Sequence, residues 1–228
     1  MNLSFGINAQ ESQTSNSSAQ YKGFPSAALH TVGHAKEIVS KPSGADNKTR
    51  LMGIFLSGNY SWDNIFLGDV SIRFDGSSEF GSESRWGSFW SLGTGVNVHN
   101  FEFMQSLPWI NQFKIRGTYG ATGKVNYPPF AARHTYTVQA GAWHTTGMGA
   151  TLTYMGNEDL SWEKTSTLNL GLDMTLFKRY TLNLSWYDKI TNDLITDVSI
   201  VPSSGFTSYK DNMGKVRNRG VEVNLNVN

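Results

Sequence analysis

The sequence predicts an all-β chain, an antiparallel meander forming part of a transmembrane β-barrel, and three features predict it. Apolar and polar residues alternate with period 2 in about eight runs. The connections between runs alternate between tight turns and long polar stretches. The faces opposite the apolar ones carry Asp69, Arg73, Lys114, Arg116, Asp173 and Glu222, which suits a wet lumen better than a second buried face.

The runs follow in order. Leu3, Phe5, Ile7 and Ala9 form the first, and Met52, Ile54, Leu56, Gly58, Tyr60 and Trp62 the second. Phe66, Gly68, Val70, Ile72 and Phe74 lie opposite Leu67, Asp69, Ser71, Arg73 and Asp75. Trp90, Leu92, Thr94, Val96 and Val98 make a fourth run, and Phe113, Ile115, Gly117 and Tyr119 a fifth. The stretch TLNLGLDMTLFKRYTLNLSWYDK supplies two more. Leu168 to Leu176 alternates against Asn169, Gly171, Asp173 and Thr175, and Tyr180 to Trp186 against Thr181, Asn183 and Ser185. Val221, Val223, Leu225 and Val227 close the set.

Asp63-Asn64 and Lys178-Arg179 read as two-residue turns, and Asn100 to Asn111 as a short aromatic link. Gly76 to Trp86 reads as a polar loop, and Gln10 to Thr49, Ala121 to Trp162 and Asn192 to Gly214 as long loops without structure of their own. Short turns on one rim and long loops on the other are the asymmetry of outer-membrane barrels, whose short turns are periplasmic. The first strand then runs outward and the last inward. Aromatics near strand ends (Tyr60, Trp62, Trp86, Trp90, Trp109, Phe177, Tyr180, Trp186) are expected at the membrane interfaces.

Composition narrows the field. With 39% hydrophobic and 16% charged residues, no run approaches the roughly 20 apolar residues of a spanning helix. A net charge of +1 offers no electrostatic case for nucleic acid, and the absence of cysteine excludes disulfides and thiolate metal sites. A soluble β-sandwich, such as a secreted carbohydrate-binding module, also alternates, but its connections are usually short. A β-solenoid is the more distant alternative.

No catalytic, cofactor or metal set emerges. GTYGATGK lacks the glycine spacing and the hydroxyl residue of a phosphate-binding loop, since Thr118 and Val125 stand at those places. His30 and His34 have helical i, i+4 spacing but sit in a Ser/Gly-rich segment, and His134 and His144 read as loop residues. Asp75, Glu79 and Glu83 fit no calcium loop. Glu158, Asp159 and Glu163 could mimic paired glycosidase carboxylates but fall at the base of a loop. The candidate ligand contacts are the loop aromatics Tyr127, Phe130, Trp143, Tyr154, Phe206 and Tyr209, with Tyr136 beside them, because aromatic rings stack on sugars or pack on a partner.

Four phrases carry a more specific signal: RFDGSSEFGSESRWGSFWSLGTGVNV (Arg73 to Val98), WINQFKIRGTYGATGK (Trp109 to Lys124), NEDLSWEKTSTLNLGLDMTLFKRYTLNLSWYDKITNDLI from Asn157, and SSGFTSYKDNMGKVRNRGVEV, which ends at Val223. In order and spacing they resemble elements of the SusC/RagA family of TonB-dependent outer-membrane transporters, including its Asn-x-x-Leu-x-Trp-Glu-x-Thr segment. The resemblance implies a 22-stranded barrel of the plugged kind, of which this chain would hold about eight strands. It also implies energy from the TonB complex, acting through an N-terminal part, and an outer lid formed by a SusD-like lipoprotein. Oligosaccharides or peptides are the implied substrates. The loop aromatics would then meet ligand or lid. Residues 1–228 are expected to be one partial barrel domain, with plug domain and signal peptide absent. They are not expected to transport alone, to act as an enzyme or to hold a cofactor. The implied location is the outer membrane of a Gram-negative bacterium.

Overall fold

A computed structural model describes residues 1–124 and 130–227. Twelve strands form among these residues. They are β1 (Asn2–Ser18), β2 (Tyr21–Lys22), β3 (Glu37–Ile38), β4 (Ser43–Trp62), β5 (Phe66–Ser77), β6 (Trp86–Asn97), β7 (Ile110–Lys124), β8 (Thr135–His144), β9 (Gly147–Tyr154), β10 (Glu163–Leu176), β11 (Tyr180–Ser199) and β12 (Ser208–Val227). Eight join in one sheet in the order β1-β4-β5-β6-β7-β10-β11-β12, and β2-β3 and β8-β9 form two small sheets. The eight-stranded sheet has the meander order that the alternation implies: the partners from β4 onward are antiparallel and consecutive apart from the inserted β8-β9 hairpin.

Two compact units make up the chain: Met1–Ala9 with Leu51–Asn228, and Gln10–Arg50. The second is built from the outer parts of β1 and β4 with the short β2-β3 pair. Glu11 bridges Lys48 and Arg50 there, each at 2.8 Å. The hydrogen bonds from those two cations hold its carboxyl below the ordinary range.

In the first unit, register sets the character of each face. Trp62, Phe66, Val96, Ile115, Leu172, Leu184 and Val223 are paired side by side across seven strands. One residue further along, Ser61, Leu67, Gly95, Arg116, Gly171, Ser185 and Glu222 form the row on the opposite face. The apolar side is uncovered: Leu56, Ile115 and Leu170 keep between 45% and 49% of their surface exposed. Apolar surface on this scale needs a partner or a membrane. Among the described residues no second sheet lies over it, so a sandwich core is not what this face serves. Among the described residues the buried hydrophobics, apart from Met104, lie instead in two small clusters, Phe80/Phe89/Trp162 and Ala131/Ala132/Leu160. Both involve the long connections.

Four details differ from the sequence expectation. The long connections carry structure: β8 and β9 lie within Ala121 to Trp162, and β1, β4, β11 and β12 run well beyond the apolar stripe. A hairpin with water on both faces needs no alternation, so the sequence pattern is silent there. The tight turns hold three residues, since Trp62 pairs with Phe66 and Leu176 with Tyr180. Their first two residues have positive φ: Asp63 (50°) and Asn64 (55°), then Phe177 (53°) and Lys178 (56°). Trp186, expected near an interface, is mid-stripe between Leu170 and Val221.

Asp and Asn tolerate the left-handed region; Phe and Lys do not. Phe177 is held by its ring stacked on Trp109 (6.0 Å) and its N–H donating to the Trp109 carbonyl (2.8 Å). The Lys178 N–H donates to Asn111 Oδ1 at 2.6 Å. Replacing Lys178 by Gly keeps that backbone donor and removes the strain. The expected gain is about 1 kcal/mol, read as a higher urea midpoint for barrel unfolding; an unchanged or lower midpoint would show that the turn is unstrained.

Candidate functional site

Two regions carry the polar chemistry of this unit: the charged face of the sheet, and a platform at the base of the long connections. On the charged face long side chains lie flat against the strands. Arg116 Nε donates to Asp173 Oδ2 at 3.1 Å, and Asn183 Nδ2 donates to Asp173 Oδ1 at 3.0 Å. Arg73 donates to both Asp75 oxygens (3.2 and 2.9 Å) and stands 5.5 Å from the centre of the Phe55 ring. Glycines make the room. A Cβ on Gly171 would come within 2.6 Å of the Arg116 guanidinium, and one on Gly93 within 2.2 Å of the Asp69 carboxylate. A shallow cavity of about 360 Å³ opens here, lined in part by Asn59, Asp69, Thr94, Lys114, Arg116 and Thr118. Such a surface combines both charges with amide and hydroxyl groups.

The platform is built from the Asn157–Glu163 segment. Trp162 packs on Phe80 (4.7 Å) and Phe89 (5.3 Å), and its indole N–H donates to the Arg85 carbonyl at 3.1 Å. That ties the segment to the β5-β6 connection. Asn157 Nδ2 donates to the Lys210 carbonyl (3.1 Å) and Asp211 Oδ1 (3.2 Å). Asn212 completes the link to β12. Its Oδ1 accepts the Ser161 N–H (2.8 Å), and its Nδ2 donates to the carbonyls of Ser161 (3.0 Å) and Asp193 (2.6 Å). Glu163 is buried, with Oε1 accepting the Ile195 N–H at 3.0 Å. Its carboxylate is engaged in the scaffold rather than facing a partner carboxylate across a gap.

The candidate aromatics divide. Tyr127 falls outside the described residues, as does the side chain of His144. Trp143 is the most open, 73% exposed on β8, with Tyr136 and Val138 exposed on the same hairpin. Phe130 lies at the connection before β8, with φ of 72°. Tyr154 packs against Ala131, Ala132 and Leu160, and burial raises its hydroxyl pKa. Phe206 is half-buried in the β11-β12 connection. Tyr209 donates to Asp211 Oδ2 at 3.2 Å, and the charge of Asp211 raises its pKa. The structure therefore leaves Trp143 and Phe130 on the surface and gives Tyr154 an internal packing role.

The other sequence candidates are engaged locally. His34 Nδ1 is 2.7 Å from Thr31 Oγ1, and His30 Nδ1 is 3.0 Å from the Ala27 carbonyl. His134 Nδ1 accepts the Gly156 N–H at 3.1 Å, a structural role that its loop position did not reveal. Asp75 is paired with Arg73, and Glu79 is turned toward Ser77.

This geometry is that of a membrane β-barrel wall, with one lipid-facing and one lumen-facing side. The match to known proteins specifies the family: the family model described as TonB dependent receptor-like, beta-barrel covers residues 2–228, and the chain belongs to that family. It is 34% identical to the TonB-dependent receptor P39 of Formosa agariphila over 199 residues, 86% of this chain and 19% of that protein. It is 31% identical to the TonB-dependent receptor SusC of Bacteroides thetaiotaomicron over 190 residues, 78% of this chain and 18% of that one. The structure of the RagAB peptide transporter superposes with a TM-score of 0.85 at 31% identity, covering 97% of this chain and 25% of that one. These relatives bear out the SusC/RagA resemblance read from the four phrases. A siderophore receptor, PirA of Pseudomonas aeruginosa, shares the fold at 16% identity, with a TM-score of 0.53. The chain spans about a fifth of the length of the curated relatives it matches.

Two outcomes are expected from the platform. Trp162→Ala removes the ring that joins Phe80 to Phe89, at a cost of about 3–5 kcal/mol. The visible result is faster protease cleavage within residues 78–85, while the membrane strands stay protected; unchanged cleavage would show that the ring does not hold this connection. Glu79 is pushed above its ordinary pKa by burial. The folded state therefore binds this proton more tightly than the unfolded chain. Its contribution is fully present below the ordinary carboxylate pKa and is lost as pH rises through the raised one. Glu79→Gln should flatten that acid-side gain in a pH series of unfolding midpoints.

Proposed function

We propose that this chain is a segment of the barrel wall of an outer-membrane transporter of a Gram-negative bacterium, taking up oligosaccharides or peptides with energy from TonB. The supporting observation is the register. It gives the sheet an uninterrupted apolar row suited to lipid and a charged, glycine-relieved opposite face suited to a lumen. On this reading the wall surrounds a plug domain supplied elsewhere in the complete receptor, through which the TonB complex acts. A SusD-like surface lipoprotein meets the long connections, with the exposed Trp143 and Phe130 available to lid or solute. Similarity to SusC and to the RagAB peptide transporter supports this class of solute and partner. The work is movement of a solute, and the chemistry of the wall is ion pairing and hydrogen bonding rather than bond cleavage. Residues 1–228 alone leave a sheet with β1 and β12 at its ends, so the fragment by itself is inactive in transport.

The test uses the full-length receptor in its own outer membrane. Uptake of labelled oligosaccharide and peptide mixtures should depend on the receptor, and should stop when TonB is deleted or the proton gradient is collapsed. Gly171→Leu displaces Arg116 into the lumen. It is expected to lower uptake several-fold at unchanged surface abundance. Energy-independent uptake would refute active transport, and wild-type uptake by the Gly171 variant would remove the lumen-facing assignment.

A further inference from the structure

One group of charges lies on the wrong side of the wall for transport. Asp188 is on β11, directly paired with Leu168 on one side and Arg219 on the other. It continues the column of Tyr180, Leu182, Leu184 and Trp186, the side that faces lipid. Arg217, paired with Ile190, follows on the same side of β12, and Lys215 stands two residues beyond it. Asp188 takes both arginines: Arg217 grips both of its oxygens, one at 2.9 Å from Nε, and Arg219 Nε reaches it at 3.2 Å. Asp188 is nearly covered, with 14% of its side chain exposed, whereas Arg217 and Arg219 keep 48% and 54%. Among the described residues one carboxylate faces two arginines, and with Lys215 further along the same strand the group is positive overall.

Height decides what this positive charge meets. A strand tilted by about 45° climbs roughly 2.4 Å per residue along the membrane normal. Asp188 is eight residues from Tyr180, the first residue of β11, and Ile190 is ten. Asp188 and its partner Arg219 therefore stand ~19 Å above the inner ring, in the outer quarter of an apolar band ~25 Å tall, and Ile190 and Arg217 stand at ~24 Å, at its far edge. Below them the same face is Val221, Val223, Leu225 and Val227. An acyl chain lying on those valines would bring its headgroup to the arginines.

We propose that Arg217, Arg219 and Lys215 form a binding site for the phosphorylated headgroup of an outer-leaflet lipid, with Asp188 holding the two guanidinium groups in place. Planar guanidinium groups suit phosphate oxygens, and the valine column below supplies the surface for the lipid's chains. The inference rests on the membrane reading above.

The test uses the full-length receptor in phosphatidylcholine nanodiscs, alone or doped with diphosphoryl lipid A or its dephosphorylated form, followed by native mass spectrometry. Wild type is expected to retain diphosphoryl lipid A and not the dephosphorylated lipid. The combined variant Arg217→Gln, Arg219→Gln and Lys215→Gln should lose on the order of 10-fold to 100-fold in retention. The heat-modifiable gel shift of a folded barrel confirms that the variant is intact. Asp188→Asn frees both arginines and should retain lipid A at least as well as wild type, an outcome that misfolding cannot produce. Equal retention of phosphorylated and dephosphorylated lipid would overturn the headgroup site. Competition by inorganic phosphate alone at matched concentration would make it an anion site rather than a lipid site. A fall for Asp188→Asn as deep as for the arginine variant would reduce the cluster to a structural ion network. Flotation of the receptor with neutral liposomes checks the membrane reading separately.

Discussion

In hydrocarbon there is no water to satisfy a backbone N–H or C=O, and each one left open costs several kcal/mol. A β-structure can therefore cross only if every strand is paired with a neighbour over the full depth of the bilayer. The register of the eight-stranded sheet meets that condition from β4 to β12, with shifts only beside Thr175/Leu176 in β10 and around Leu194 in β11. Once pairing is fixed, side-chain placement has little freedom, because a one-residue slip in any strand would carry its leucines to the lumen and its charges to lipid. The row from Trp62 to Val223 is thus a consequence of backbone pairing as much as of hydrophobicity. The same rule acts at the ends of the sheet. Among the described residues β1 and β12 each have one neighbour, and an edge left unpaired in lipid carries the same cost.

The inner side follows a different economy of space. Arg116 over Gly171, Asp69 over Gly93 and Tyr187 over Gly220 are large side chains laid across the position where a neighbouring strand has no Cβ. A wall built this way is charged yet thin, since its long side chains run along the sheet instead of across the lumen. The pairing of Arg116 with both Asp173 and, through it, Asn183 spreads one ion pair over three strands, and such a network holds its members flat more firmly than an isolated pair would.

Legibility in the sequence tracked the environment of each residue. Strand segments with lipid on one face and water on the other alternate, so β5, β6, β7, β10 and the inner half of β12 could be read directly. The outer half of β4, the β8-β9 hairpin and the start of β12 have water or loops on both faces, and they read as loop. The turn after β10 is misplaced for a related reason: with Lys178-Arg179 read as the turn, Phe177 counts as strand, but it is the first turn residue and stacks on Trp109. The segment around Trp162 could be recognised by resemblance, yet its job was invisible, because its partners Arg85 and Asn212 are remote in sequence and no spacing rule links them. Among the loop aromatics, exposure on a rim cannot be told from packing within it by residue type; Tyr154 went inward because Leu160 and two alanines offered a surface to cover.

The platform changes what the outer connections can do. Independent loops would fold and open one at a time, each with few buried contacts and low local stability. Here Trp162 joins the β5-β6 connection to the Asn157–Glu163 segment, and Asn157, Asn212 and Glu163 join that segment to β11 and β12. The amide groups of Asn157 and Asn212 are shared among several partners, so separating the segment from β11 and β12 leaves donors and carbonyls unpaired on both, and displacing the β5-β6 connection uncovers Trp162 and frees its N–H. That penalty favours movement of the three together over movement of one. The β8-β9 hairpin, whose Trp143 and Tyr136 are exposed, lies outside these links and presents aromatic surface at the rim.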